Sequence, residues 1–348
     1  MKPDPLGQLL LTGVPGTELD SRTAALFRRV QPGGFILFGR NIESAVQLRK
    51  LIDDLRDLSA IEPIITIDQE GGRVSRLRLI GNEPPNAQQL RERDDEALVR
   101  RHGEITGRLL RLFGFNLDLC PVLDISFDDE ADNSLKGRCY GTDVEQVVRL
   151  AGAFNDALRA EGVASCGKHF PGYSAAGVDA HHDLPRIDRS LPELEREELA
   201  VFRRCAQQVD SMMICHGWYP CFDEQKLPAS LSPRVVTELL RRDLQFDGLV
   251  MTDDLDMGAI YNEYGLADTI RLALGAGNDL AMICHRIDAI GEARDVLATL
   301  PPEQIGRALT SIARFKQRLQ PPHAFSDAAF HQLDGEVWNL RVDVLGAE

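Results

Sequence analysis

Several features that mark large protein classes are missing from this chain of 348 residues. No Cys-x-x-Cys pair occurs. The seven cysteines are scattered through apolar segments, Cys120, Cys166, Cys215 and Cys284 among them. That pattern offers neither a disulfide framework nor a zinc site and suits a reducing compartment. No apolar run is long enough to cross a bilayer, and Met1-Lys2-Pro3-Asp4-Pro5 lacks the apolar core of a signal peptide. The expectation is a cytoplasmic protein with no membrane partner. Positive charge is in deficit: 39 Lys and Arg against 54 Asp and Glu leave a net charge of −15. That balance argues against a nucleic-acid partner. No Gly-x-Gly-x-x-Gly turn follows the first apolar run, so the mark of a dinucleotide-binding sheet is absent. No His-x-His pair stands at the end of an apolar run, and neither a metal nor a cofactor is expected. The oligomeric state is not written in the sequence; a monomer is taken as the expectation.

What the chain has is alternation. Short apolar runs at 7–14, 33–38, 63–67, 115–125, 163–168, 211–216, 246–252 and 278–284 are separated by amphipathic stretches such as 44–58, 143–161, 191–208, 232–244 and 267–275. Near-continuous strands alternating with helices indicate a parallel sheet covered on both faces. Eight of them are the count that closes a (β/α)8 barrel of the TIM type, an α/β fold that commonly fills this length as one domain. The barrel is placed at 1–320. The tail, 321–348, is expected to be a short helix and an extended segment packed on it.

The ends of these runs are polar. Asp68 and Gln69 follow the third, Asp124 ends the fourth, and Lys168 and His169 end the fifth. His216 ends the sixth, Asp253 and Asp254 the seventh, and His285 the eighth. Barrel active sites form where the C-terminal ends of the strands converge. Of these residues His285 is the first candidate for a structural role. The densest stretch is 168–188. Pro171 and Gly172 stop the fifth strand, and a loop of small residues then carries Asp179 and His181 two positions apart. A carboxylate that close to an imidazole can fix its tautomer and raise its basicity.

Four stretches together resemble family 3 glycoside hydrolases, and within them the single-domain bacterial β-N-acetylglucosaminidases. They are Gly33-Gly34-Phe35-Ile36-Leu37-Phe38-Gly39-Arg40-Asn41, Ile67-Asp68-Gln69-Glu70-Gly71-Gly72-Arg73-Val74, Lys168-His169-Phe170-Pro171-Gly172 with Asp179-Ala180-His181, and Thr252-Asp253-Asp254-Leu255-Asp256-Met257. The resemblance covers about 7–285, and the Asp-x-His loop is the part specific to the glucosaminidase branch. Tyr173-Ser174 stands where His-Gly or Arg-Gly is common, and Asp256 where Ser is frequent.

The resemblance implies a retaining exo-β-N-acetylglucosaminidase acting on GlcNAc-containing oligosaccharides or muropeptides of peptidoglycan recycling. Asp253 would be the nucleophile that forms a glycosyl-enzyme. His181 would be the general acid/base, with Asp179 stabilising its imidazolium. Asp68, Arg76, Arg138, Lys168 and His169 would bind the non-reducing sugar. Blander readings stand beside these. Asp253 and Asp254 could cap the next helix. Arg138 could be a solvated ion pair and Arg76 a surface charge. Rival activities are a β-glucosidase or a phosphorylase of the same family, substrate-assisted hydrolysis steered by the Asp253-Asp254 pair, and a barrel aldolase using Lys168 as a Schiff base.

Overall fold

A computed structural model of the chain describes residues 5–130, 133–176 and 184–346. Eight parallel strands close into a barrel: β1 (Leu10–Gly13), β2 (Gly34–Leu37), β3 (Ile64–Ile67), β6 (Leu117–Asp118), β7 (Ala164–Phe170), β8 (Ser211–Ile214), β9 (Leu249–Asp254) and β10 (Leu280–Ile283), with β10 returning to pair with β1. The two strands numbered between β3 and β6, β4 (Gln69–Gly71) and β5 (Val74–Ser75), form an antiparallel hairpin at the barrel's mouth. The (β/α)8 barrel read from the alternation is therefore the observed architecture. The strand residues are buried on both sides, which is why the runs are near-continuously apolar rather than alternating.

Helix starts follow the side-chain chemistry. Ser44 accepts from the Gln47 amide and Asp143 from the Gln146 amide, so the helices Ala45–Leu58 and Val144–Ala160 begin one residue inside the stretches expected for them. The stretch 191–208 instead forms two helices, Leu191–Arg196 and Glu198–Cys205, broken at Glu197, whose backbone is non-helical. Ser232–Leu244 winds as a π-helix over Arg234–Asp243.

The fourth strand reading changes as well. The fourth barrel strand is regular over two residues, where the apolar run spans 115–125. Pro121 has no amide hydrogen for a ladder. The Asn116 side chain compensates, accepting from the Ile65 amide (2.8 Å) and donating to the Pro63 carbonyl (3.0 Å). The β4–β5 hairpin turns on Gly71 and Gly72, at φ 111° and 52°. A Cβ at Gly71 would lie 2.3 Å from the Pro85 carbonyl oxygen, so the tight backbone turn read from this pair is required.

The tail differs from its expectation. An extended segment comes first and is followed by a helix of 19 residues, Asp327–Leu345, started by the Ser326 side chain on the Ala329 amide. Phe330, Leu333, Val337, Leu340 and Val344 form its buried stripe, at alternating spacings of three and four. Phe330 packs edge-on against Phe113, and Arg108 pairs with Glu336 at 2.7 Å. Asp334 accepts from the Asn82 amide at 2.5 Å. The tail thus holds the loop that follows β5, next to Arg76. Among the described residues, no helix is long and apolar enough to cross a membrane.

Candidate active site

A cavity of about 330 Å³ opens at the C-terminal mouth of the barrel. Residues at the ends of seven of the eight strands line it, including Phe38, Asp68, Lys168, His169, His216, Asp253, Asp254 and His285. Arg76 and Arg138 line it from the loops. Strand geometry explains the convergence, because parallel strands tilted round a barrel aim the residues just past their C-termini at one central space.

One side of the cavity is a buried ionic network. The Lys168 ammonium lies 2.9 Å from Asp68 and 2.6 Å from Glu70. Arg138 makes a two-pronged pair with Glu70, at 2.8 and 2.7 Å, and Arg76 reaches Asp68 at 3.1 Å. Burial alone would push the two carboxyls up, but the cations outweigh it. Lys168 and Arg76 hold Asp68 far below the usual range, and Arg138 and Lys168 bring Glu70 down to about 2. Burial disfavours the charged Lys168, yet its two carboxylate partners keep it protonated above its ordinary value. Three cations against two carboxylates leave the network one positive charge in excess. Asp118 accepts from the Gln69 amide at 3.0 Å, and burial pushes its carboxyl well up.

Asp124 organises the next sector. Fully buried, it accepts from the His169 amide (3.1 Å), His169 Nδ1 (2.6 Å) and the Tyr173 amide (2.7 Å). The carboxylate places the imidazole proton on Nδ1, which leaves Nε2 as an acceptor 3.4 Å from Arg138. The loop leading to the Asp-x-His pair is tied at both described ends. Tyr173 is held by Asp124, while Ile187 donates to the Trp218 carbonyl and the Trp218 amide donates to the Pro185 carbonyl, each at 2.8 Å. Asp179 and His181 themselves lie outside the described residues.

The opposite side carries carboxylates. β9 delivers Asp253 into the cavity, where its carboxylate accepts from the Asp254 amide at 2.8 Å. Asp254 turns away to accept from the amides of Asp256 (3.0 Å) and Cys284 (3.1 Å). Burial, aided by the charges of Asp256 and Asp253, raises its carboxyl to about 7. His216 bridges the backbone here. Its Nε2 meets the Asp254 carbonyl at 2.9 Å and must be the donor, so Nδ1 accepts from Ser230 at 2.8 Å.

Several alternatives are thereby decided. Asp253 and Asp254 are strand residues, and the following helix, Gly258–Ala276, starts at Met257 without a side-chain cap. Arg138 is a buried ion pair rather than a solvated one, with 13% of its side chain exposed. Arg76 is committed to Asp68. Lys168 is held in its charged form, the opposite of what a Schiff-base amine needs. Glu70 and Asp124 were not picked out as site residues. For Glu70 the signal was present: in an extended chain positions 68 and 70 face the same way, so a second carboxylate beside Lys168 was readable. Asp124 was seen at a strand end, but nothing in the sequence tied it to His169. Among the described residues there is no cluster of three or more His, Cys, Asp or Glu that could hold a metal ion.

Known proteins resemble this chain over most of its length. Residues 4–315 match the glycosyl hydrolase family 3 N-terminal domain. A β-hexosaminidase of Pseudomonas aeruginosa is 37% identical over 279 residues, covering 79% of this chain and 82% of that protein. One from Bordetella avium is 32% identical over 95% of this chain and 93% of its own. Among solved structures, a family 3 β-N-acetylglucosaminidase from Paenibacillus superposes with a TM-score of 0.89 at 32% identity, over 98% of this chain and 69% of that one. NagZ from Neisseria gonorrhoeae superposes with a TM-score of 0.82 at 28% identity, over 96% and 97%.

Proposed function

Because the chain belongs to glycosyl hydrolase family 3, and is a glycoside hydrolase of the β-N-acetylhexosaminidase type, we propose that it removes terminal β-linked GlcNAc from the non-reducing end with retention of configuration. The observation that carries the reading is the arrangement of the cavity: a strand-mounted Asp253 shares it with the buried network of Asp68, Lys168 and Arg138.

The network is set to grip hydroxyls. Its ions are already desolvated and paired, so the terminal sugar meets fixed donors and acceptors and little reorganisation is needed on binding. Asp68 accepts from hydroxyl groups, Arg76 and Arg138 donate to vicinal oxygens, and His169 Nε2 accepts. Asp253 attacks the anomeric carbon as the bond to the leaving oxygen breaks, and His181 gives that oxygen its proton. Water then attacks the glycosyl-enzyme, returning its proton to His181 and freeing the Asp253 carboxylate. Asp179 stabilises the imidazolium that the first step consumes and the second restores.

The same reading takes the substrate to be a GlcNAc-containing oligosaccharide or muropeptide of peptidoglycan recycling, handled by a cytoplasmic monomer without a cofactor. The relatives named β-hexosaminidase support the sugar class. An assay of aryl β-GlcNAc against aryl β-glucoside tests it. Preference for the GlcNAc substrate by at least tenfold is expected, and equal or better hydrolysis of the glucoside would replace this reading with the β-glucosidase one.

A further inference from the structure

Four Lys and Arg side chains line the cavity, and three of them have carboxylate partners: Lys168 with Asp68 and Glu70, Arg76 with Asp68, and Arg138 with Glu70. The fourth is Arg73, which none of the roles above uses. Its guanidinium meets backbone carbonyls only, Nη2 donating to Ser134 at 2.7 Å and to Asn133 at 3.3 Å. Among the described residues no carboxylate lies within ion-pair distance of it, and its Nε and Nη1 donors have no protein acceptor. Depth separates it from the others as well. The side chains of Lys168 and Arg138 are 2% and 13% exposed, whereas Arg73 is an exposed residue. The cavity therefore runs from a buried end, where the ions are paired, to an open edge, where one guanidinium is not.

The hairpin fixes where that charge stands. Gly71 and Gly72 make the turn before Arg73, and the Gly72 amide donates to the Pro84 carbonyl at 2.9 Å. The Ser134 carbonyl also accepts from Arg138 Nη1 at 2.9 Å, and this shared acceptor sets two guanidinium groups side by side. The paired network already has one positive charge in excess, so Arg73 adds a second on the same wall. Acids in the segment before Asn133 are engaged elsewhere, Asp129 with Arg91 at 2.6 Å and Glu130 with Lys136 at 3.9 Å. Across the cavity stand Asp253 and Asp254. The third carboxylate there, Asp256, bridges the ends of β9 and β10 by accepting from the His285 and Arg286 amides at 2.7 and 2.8 Å. An anion entering the cavity is thus favoured on the hairpin side.

We propose that Arg73 determines specificity for a negatively charged leaving group: its unused N–H donors take a carboxylate carried by the saccharide that departs. The inference rests on the exo-acting reading. Terminal GlcNAc is uncharged and its hydroxyls are met by the buried network, which leaves the exposed cation to the far side of the bond that breaks. A guanidinium stays charged at every working pH, only donates, and suits a carboxylate better than it suits a hydroxyl.

The test uses a GlcNAc disaccharide whose second sugar bears a carboxyalkyl ether, and the methyl ester of the same compound, which differs only in charge. The wild-type kcat/KM should favour the acid by about fivefold to tenfold, the scale of one charge-assisted hydrogen bond at an exposed site. Raising the ionic strength from about 0.05 M to about 0.5 M should shrink that preference. Arg73→Gln should lower the value for the acid about fivefold to tenfold more than that for the ester, and Arg73→Lys should keep part of the preference. The wild-type comparison needs no variant, so it stands even if a substitution disturbs the hairpin. Equal wild-type values for acid and ester, or equal losses on both in Arg73→Gln, would overturn the proposal. Failure to cleave either compound or an aryl β-GlcNAc would remove the exo-glucosaminidase reading first, and the proposal with it.

Discussion

The two sides of the cavity solve opposite electrostatic problems. On the β3–β7 side every buried charge has a partner: Asp68, Glu70, Lys168 and Arg138 form a network in which burial is outweighed by short ion pairs. On the β9–β10 side three carboxylates, Asp253, Asp254 and Asp256, occupy four consecutive positions, and the helix after them begins at Gly258. Asp253 and Asp254 accept from backbone amides and Asp256 is paired with Arg286 at 2.5 Å, while burial raises Asp254 to about 7. A fully paired network cannot easily move or change charge, which suits recognition. On the proposed reading Asp253, which accepts from the Asp254 amide, is the carboxylate available for bond formation. On that reading the difference assigns binding to one side and chemistry to the other.

The largest effect that would test this division is expected from Asp253→Asn. Activity should fall by about a thousandfold or more, on the scale seen when an essential covalent catalyst is removed, while the thermal unfolding midpoint stays near that of the wild type. Substantial residual turnover would take the chemistry away from this side.

Next in size is a change at His181. Replacing it with Ala should slow cleavage of poor leaving groups by about a hundredfold or more and that of activated aryl glycosides far less. Equal losses across leaving groups would count against proton donation. Addition of phosphate should leave the products of hydrolysis unchanged; appearance of a GlcNAc 1-phosphate would identify a phosphorylase instead.

On the paired side, Glu70→Gln keeps the shape but strips a counter-charge from both Lys168 and Arg138. Breaking such a buried pair should cost about 3 kcal/mol of stability and weaken sugar binding together. Unchanged stability in denaturant titration would mean that the network is more solvated than its geometry indicates.

The last effect is a slope with pH rather than a loss. The Asp254 carboxyl is raised in the fold, so between about pH 4 and 7 the unfolded chain has lost a proton that the folded chain keeps. Its contribution to stability is full at low pH and declines as pH rises, by at most ~1.4 kcal/mol per pH unit. Asp254→Asn removes that slope. The difference between wild type and variant in unfolding midpoint should therefore shift against the wild type from pH 4.5 to 7.5, and a constant difference would show that Asp254 ionises normally.

Much of this was readable from the residues because the barrel writes itself twice, once in eight apolar runs and again in the polar residue that ends most of them. Asp68, Lys168, His169 and Asp253, which that rule picks out, line the cavity. Less was visible where one side chain acts through another. Asp124 holds His169 across the gap between β6 and β7, and the role of Asp256 is apparent only once the ends of β9 and β10 are adjacent. Glu70 and the tail helix were legible and underread: the first by its two-residue spacing from Asp68, the second by the stripe from Phe330 to Val344. His285, the first candidate among the strand-end residues for a structural role, lines the cavity.

The central claim is that Asp253 bonds to sugar carbon during turnover. A 5-fluoro analogue of an activated β-GlcNAc donor, incubated with the enzyme and followed by peptide mass spectrometry, tests it directly. The account predicts one glycosyl adduct, on the peptide containing Asp253 and absent in Asp253→Asn. An adduct on another carboxylate, or inactivation with no covalent sugar as acetamido-assisted hydrolysis would give, would contradict it.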